Sequence, residues 1–365
     1  MADVRRILVA GVGVLALGAM ASCASCKSTS MKEDLALLPK DATVLITINA
    51  ARMRDTAVWR KLLDLRDATP ESKKRYAELS AECGFDPFTQ IDGATIALPA
   101  PGQGGEFGAI VHGTFNEEKL AACIKTEAAK ADADIVPEEY DGKKVYGNRD
   151  SGLVGALLDG KTMVLAGHDW SRRILDLATG KGTNKDETSV KDNAAIVELA
   201  KKAHASDAIW AVGLVPDSVR AKLEGKDELA SAKSLKDAYG SIDFATGLKV
   251  DLTLDLGGDA DAKDLAGKLN EQLVAAKKSP QVMMLGLAGL LEAVKVTSEG
   301  PAFRLVVNYN TSQVEQLIER LTGLLKGGAD RAFGIGGAGG GMPSMPMPGG
   351  GLGGSGLQLA PPANP

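Results

Sequence analysis

The chain has 365 residues, of which 44% are hydrophobic and only 4% aromatic, so its core must be built mainly from Leu, Val, Ile and Ala. The few aromatic rings leave little material for the stacking platforms that bind single-stranded nucleic acid. With a net charge of −5 at pH 7, the chain also lacks the excess of basic residues that is typical of a nucleic-acid-binding protein. We therefore expect no nucleic-acid partner.

The first residues predict an export signal. Arg5 and Arg6 form a short basic start, and an uncharged apolar run extends from Ile7 to Ala21. This run is shorter than the roughly 20 residues that a membrane-spanning helix needs, and it ends in small residues before Cys23. Residues 1–22 are therefore expected to be a signal peptide that is removed on export.

The cut site resembles the lipobox of bacterial lipoprotein precursors. Ala21 and Ser22 precede Cys23, although Met20 stands where Leu is most usual. By this resemblance Cys23 receives a diacylglyceryl group and fatty acyl chains such as palmitate, and becomes the new N-terminus. Ala24 after it implies the outer membrane, facing the periplasm. A cleaved soluble protein and an uncleaved hydrophobic tail are the alternatives.

Residues 23–34 predict a short polar tether, and residues 35–179 predict a first α+β half. This half opens with a strand over 42–49, in which β-branched and polar residues alternate. Its further predicted elements are helices over 56–66, 71–83, 116–130 and 169–178, strands over 94–98 and 107–113, and hairpins over 135–149 and 153–166 that turn at Asp141-Gly142 and Asp159-Gly160.

The order of elements recurs after roughly 165 residues, with little sequence identity. Residues 194–326 therefore predict a second half, whose elements are helices over 194–203, 217–223, 259–277 and 311–325 and strands over 208–215, 244–250, 252–256, 294–298 and 303–309. The fold class is α+β, with two similar halves whose antiparallel sheets carry helices packed on one face. The pattern leaves open whether the halves form one continuous sheet or two domains.

Four cysteines occur, and an exported protein lies in a compartment that permits disulfides. If Cys23 is acylated, Cys83 and Cys123 are the natural pair. Cys83 falls near the end of a predicted helix, whereas Cys123 lies in the middle of one. The alternative is a buried, unpaired Cys123 that acts as a small hydrophobic side chain.

No residue pattern identifies a reaction. The three histidines have no metal-ligand spacing, and neither a G-x-S-x-G elbow nor an S-x-x-K motif is present. We assign no catalytic residue, metal ligand or cofactor, and we expect the protein not to be an enzyme.

One segment, Val282 to Leu291, is apolar on all sides. It predicts either a buried helix or an apolar binding surface. The residues assigned to such a surface are Met283, Met284, Leu287, Leu290 and Leu291. Beyond it, residues 327–365 are dominated by Gly, Met and Pro and predict a disordered tail.

The mature part is similar to uncharacterised exported bacterial proteins with a repeated α+β unit that open with a Leu-Pro-x-Asp-Ala strand, here Leu38 to Ala42. That group implies no activity. The leading hypothesis is a lipid-anchored cell-envelope protein that binds a partner or scaffolds without catalysis. The alternative is a periplasmic carrier or chaperone for a hydrophobic ligand, and an enzyme is the third hypothesis.

Overall fold

A computed structural model describes residues 31–100, 106–130, 133–148, 152–180, 187–223, 233–284 and 288–320. The chain divides into two compact units, Met1–Glu319 and Arg320–Pro365. All the described strands lie in the first unit, and only Arg320 of the second unit is described. The predicted signal, most of the tether, Cys23 and the Gly/Met/Pro tail lie outside the described residues.

Twelve strands of the described chain form one antiparallel sheet, in the order β11-β12-β10-β9-β8-β1-β2-β3-β7-β6-β5-β4. The α+β class and the antiparallel sheet are confirmed. The strands are β1 Val44–Asn49, β2 Ile91–Leu98, β3 Phe107–Gly113, β4 Ile135–Tyr140, β5 Lys143–Asn148, β6 Leu153–Leu157, β7 Thr162–Gly167, β8 Ile209–Leu214, β9 Asp237–Asp243, β10 Gly247–Asp255, β11 Val294–Glu299 and β12 Ala302–Asn310.

Thirteen described segments are α-helical, and a 3₁₀ turn covers Val190–Asp192. The helices are α1 Met31–Leu37, α2 Ala50–Met53, α3 Ala57–Arg66, α4 Pro70–Cys83, α5 Pro87–Gln90, α6 Glu117–Lys130, α7 Asp169–Thr179, α8 Ala194–Lys202, α9 Asp217–Leu223, α10 Asp259–Lys278, α11 Pro280–Met284, α12 Ala288–Leu291 and α13 at residues 311–320.

The strand order shows the two similar halves. In the first half β1, β2 and β3 are consecutive neighbours, followed by β7 and β6. In the second half β8, β9 and β10 are followed in the same way by β12 and β11. The hairpin of β4 and β5 extends only the first half. The halves meet where β1 pairs antiparallel with β8, from Val44 opposite Gly213 to Ile48 opposite Ile209, so they share one sheet.

Two strands of the second half differ from the sequence-based prediction. We predicted separate strands over 244–250 and 252–256, but β10 runs without a break and β9 lies just before it. The two predicted strands left out Asp251, yet this residue continues the strand because Arg304 on β12 pairs with its buried carboxylate. Strand β9 was missed because Gly240 and its terminal aspartates lower the strand propensity.

The helices divide between the two faces of the sheet. The front face, which includes Leu45, Ala97 and Ile110, packs against α1, α7 and α8. The back face, which includes Ile48 and Val111, packs against α2, α3 and α5 in the first half. In the second half α10 covers the back of β11 and β12. Helices α12 and α13 cover the neighbouring part of the back face, around Leu248 and Val307. Strand β3 is buried on both faces, since the consecutive Ile110 and Val111 face opposite clusters.

The front-face core joins the two halves. It holds Trp170 and Ile174 from α7 together with Trp210 and Val212 from β8. Helix α7 approaches β3 so closely that a Cβ at Gly108 would lie 2.4 Å from Ile174 Cδ1. A larger residue at this position would displace the helix.

Candidate functional site

The first described helix, α1, is fixed to the sheet by a buried carboxylate. Asp34 Oδ2 accepts a hydrogen bond of 2.5 Å from Thr95 Oγ1, and Asp34 Oδ1 lies 2.6 Å from His112 Nε2. Thr95 Oγ1 lies 3.3 Å from Thr47 Oγ1. Leu35 and Leu38 enter the front-face core beside this network. The network therefore fixes the position of α1, which follows the tether, on the sheet.

Asp34 was assigned to the tether by sequence, and this boundary is corrected by the structure. Residues 31–34 belong to α1 rather than to an extended linker. The only sequence signal was an acidic residue directly before the apolar run that starts at Leu35. That signal does not show burial, because the partners Thr95 and His112 come from β2 and β3, far along the chain.

The Asp34 network has the residue types of a hydrolase but not the arrangement. The carboxylate lies between the hydroxyl and the imidazole, so the imidazole does not contact the hydroxyl. Thr95 is also only 1% exposed, which keeps its hydroxyl from any substrate. The geometry supports a structural role for these groups.

The other two histidines lie apart from this network. His168 precedes α7 as its N-cap residue, and His204 follows α8 with Nε2 4.0 Å from Asp251 Oδ2. In the described part of the chain, no group of three His, Cys, Asp or Glu side chains is placed to hold a metal ion. Likewise, none of the described helices is long and apolar enough to cross a membrane.

A disulfide joins Cys83 at the end of α4 to Cys123 in the middle of α6. The two Cα atoms are 4.5 Å apart, within the usual range for a disulfide. Gly84 adopts a left-handed conformation as the C-cap of α4, which ends the helix at the cysteine. Both cysteines are buried, so the bond ties two back-face helices together.

The apolar segment at 282–291 does not form one exposed surface. Leu290 is buried with Tyr309 and Val314, and Leu291 is half-buried, whereas Met283 is 56% exposed on α11. Leu290 therefore belongs to the core and cannot serve as the predicted surface residue. Leu287 and the side chain of Met284 lie outside the described residues.

The sheet itself presents an apolar surface that sequence reasoning missed. On the back face, one row of directly paired residues runs across five strands: Ile96, Ile46, Ala211, Gly240 and Leu252. A parallel row runs across four: Leu98, Val44, Gly213 and Ala238. We call these nine residues the apolar strip.

The apolar strip lies between the helix groups of the back face. All nine residues are half-buried, and none of them belongs to a core cluster of the described residues. Their neighbours Ile48 and Ala94 pack under α2 to α5, and Leu254 and Leu305 pack under α10. Within the described part of the chain, the strip is thus a trough between two groups of helices that crosses the contact between β1 and β8.

On the front face, by contrast, the second half presents charges. Arg304 donates two hydrogen bonds to Asp251, of 2.9 and 2.5 Å, and this guanidinium holds the pKa of the carboxyl below its usual value. On neighbouring strands, burial raises the pKa of Asp237, and the facing Asp255 raises it further. The two faces of the second half therefore differ sharply in polarity.

No known protein family and no curated protein matches the chain. Among solved structures, crystal form III of TP0453 is similar at 13% identity over 80% of this chain and 98% of that chain, with a TM-score of 0.42. Form I has 12% identity over 80% and 96%, with a TM-score of 0.41. Form IV has 12% identity over 79% and 96%, with a TM-score of 0.43. Similarity at this level carries no argument about function.

Proposed function

We propose that this chain is a lipid-anchored protein of the bacterial cell envelope with a non-enzymatic binding or scaffolding role. Cys23 carries the acyl chains, and the folded part faces the periplasm from the outer membrane. The observation that carries the proposal is the signal of basic start, apolar run and Ala-Ser-Cys23. The buried disulfide between Cys83 and Cys123 supports it, because such bonds persist in oxidising compartments.

The polar groups of the folded part support a role without catalysis. Asp34 is bonded to Thr95 and His112, and Tyr140 donates to the buried Asp176. Arg54 donates to the Ile91 carbonyl and to Asp92. These deeply placed groups hold helices and strands together, as structural residues do.

Intact-mass spectrometry of the protein from the membranes of its host tests the anchor. We expect a mass that begins at Cys23 and includes acyl chains. Cys23→Ala should remove the added mass and release the protein from the membrane fraction, whereas Cys26→Ala, three residues later, should leave both unchanged. An unacylated or full-length mass for the unaltered chain would refute the anchor.

A carrier of a hydrophobic ligand is the second candidate, and the apolar strip is the observation that favours it. Sites for hydrophobic ligands are concave and lined mainly by apolar side chains. In the strip, nine uncharged apolar residues are contiguous across five neighbouring strands.

A further inference from the structure

We propose that the apolar strip binds a single lipid acyl chain, laid across β2, β1, β8, β9 and β10. The inference rests on the proposed binding role in the envelope and gives that role a site and a ligand class. It differs from the surface that the sequence indicated at 282–291, because Leu290 of that segment is buried in the core.

Among the described residues, none covers the floor of the trough at Gly213. An ideal Cβ at Gly213 would have only Val44 Cγ2, at 3.5 Å, and the Thr43 carbonyl, at 3.8 Å, within 4 Å. At Gly240 the nearest atoms are all from Asp251 and Leu252 of the adjacent strand. Among the described residues, therefore, only Val44 and Thr43 lie within 4 Å of a Cβ at Gly213, and the three atoms nearest to a Cβ at Gly240 belong to β10.

The chemistry of the lining selects an occupant without polar groups. The nine side chains are Val, Ile, Leu, Ala or Gly, and none has a hydrogen-bonding atom. A ligand with charged or polar groups along its length would lose hydrogen bonds to water and gain none here. A hydrocarbon chain has no hydrogen bonds to water to lose, and it buries apolar surface when it binds.

The dimensions favour a single chain over a protein partner. Strands are about 4.8 Å apart, so the longer row spans about 19 Å, and the two rows are about 7 Å apart. The strip thus offers on the order of 200 Å², well below the roughly 800 Å² that each partner of a stable protein complex buries. An extended acyl chain, about half of the roughly 30 Å bilayer core in length, fits within it.

Two glycine variants test the site with matched controls. Gly213→Phe fills the trough, and its Cβ meets only ordinary contacts, so the strand should persist. Gly147→Phe on β5 is the control, because its side chain would lie on the front face, with Val154 Cγ2 at 3.9 Å as the nearest atom. Ile46→Lys is a second strip variant that introduces a charge instead of bulk. Urea unfolding of each variant checks that the fold is retained.

The probe is cis-parinaric acid, a fatty acid whose fluorescence rises in an apolar site. With the mature chain carrying Cys23→Ala, we expect saturable binding that Gly147→Phe leaves unchanged. Gly213→Phe and Ile46→Lys should each raise the Kd by about tenfold or more. Absence of saturable binding, or equal Kd values for Gly213→Phe and Gly147→Phe, would overturn the proposal.

The acylated chain, reconstituted in phosphatidylethanolamine and phosphatidylglycerol nanodiscs, distinguishes two sources of the acyl chain. We expect the acylated form to bind more probe than nanodiscs that carry acylated Gly213→Phe, because α1, which follows the tether, packs on the front face and the strip lies on the back face. Exclusion of the probe from the acylated form alone would show that an acyl chain of Cys23 fills the strip, and it would overturn the proposal of a separate lipid. The proposal would also be overturned if the chain does not bind the probe but binds a protein partner through the strip. The mass at Cys23 is measured separately, so a failed anchor and a failed ligand site give different results.

Discussion

At the level of single residues, Asp34 is the buried charge with the clearest structural task. Its side chain is 6% exposed and its partner His112 is 13% exposed, so neither can exchange this contact for water. Removing one member of such a pair leaves the other buried without compensation. The exposed Glu33, one residue earlier in the same helix, has no such constraint.

We expect Asp34→Ala to lower the free energy of unfolding by about 3 kcal/mol, because His112 and Thr95 lose their shared acceptor. Glu33→Ala should change it by less than about 1 kcal/mol, since only a contribution to the helix dipole is lost. Urea denaturation at neutral pH measures both. Equal effects would show that the network adds nothing to the apolar packing of Leu35 and Leu38.

The ion pair of Asp251 and Arg304 should make stability depend on pH. The pKa of Asp251 is lowered in the folded protein, so the pair stabilises the fold above the unfolded value of about 3.9 and loses this effect as the pH falls through the folded pKa. Arg304 is half exposed to solvent, which limits the gain.

Arg304→Met should therefore cost on the order of 1 kcal/mol at pH 7, and this cost should shrink as the pH is lowered below about 4. Unfolding free energies measured from pH 7 to pH 3 give the profile. Lys295→Met, an exposed charge on β11, serves as the control and should show no comparable loss. A cost that stays constant with pH would mean that Arg304 acts through packing of its stem.

At the level of secondary-structure elements, the disulfide determines how α4 and α6 are held together. The cysteines are 40 residues apart, and closing a loop of this length stabilises a protein by about 4 kcal/mol in the chain-entropy description. Tyr76 of α4 and Leu120 of α6 also pack against the same back-face cluster. The fold should therefore survive without the bond, at reduced stability.

Replacing both cysteines by Ser should lower the free energy of unfolding by about 3 to 4 kcal/mol. The unaltered chain in reducing buffer should lose a similar amount, because reduction to two thiols opens the same loop as the double replacement. Thermal and urea unfolding, with thiol counting by mass spectrometry, check the match. If reduction leaves stability unchanged, the residual packing of α4 and α6 is enough to fix their position.

Elements with a local signal could be predicted from the sequence. The turn at Asp141-Gly142 was predicted, and both residues have a positive φ, of 47° and 77°, as a tight hairpin requires. Strand β9 could not be predicted, because its stability comes from lying between β8 and β10 rather than from its own residues. In the same way, Asp251 was left out of the predicted strands, because its partner Arg304 lies 53 residues further along the chain.

At the level of the whole molecule, the recurrence of elements predicted the two halves but not how they join. The joint is the pairing of β1 with β8, and no local pattern encodes which strand edge meets which. The apolar strip depends on that joint, since Ile46 and Ala211 become neighbours only through it. For this reason the sequence indicated a binding surface at the contiguous apolar run 282–291 and did not indicate the apolar strip, whose residues are far apart in the chain.

The joint also predicts how the molecule unfolds. The front-face core shares residues of both halves, with Leu45 and Ile110 packed in one cluster with Trp210 and Val212. Neither half can complete this cluster alone, and each would expose β1 or β8 as an open sheet edge. The described part of the chain should therefore unfold as one cooperative unit rather than as two.

We expect Trp210→Ala to lower stability by about 3 to 5 kcal/mol, since Trp210 is only 2% exposed. Amide hydrogen exchange should show the loss equally in β2 and β3 of the first half and in β10 and β12 of the second. Val274→Ala, at a position 51% exposed on α10, should shift neither half. Loss of protection in the second half alone would mean that the halves are separate folding units that merely share a strand contact, and the apolar strip between them would then have no fixed floor.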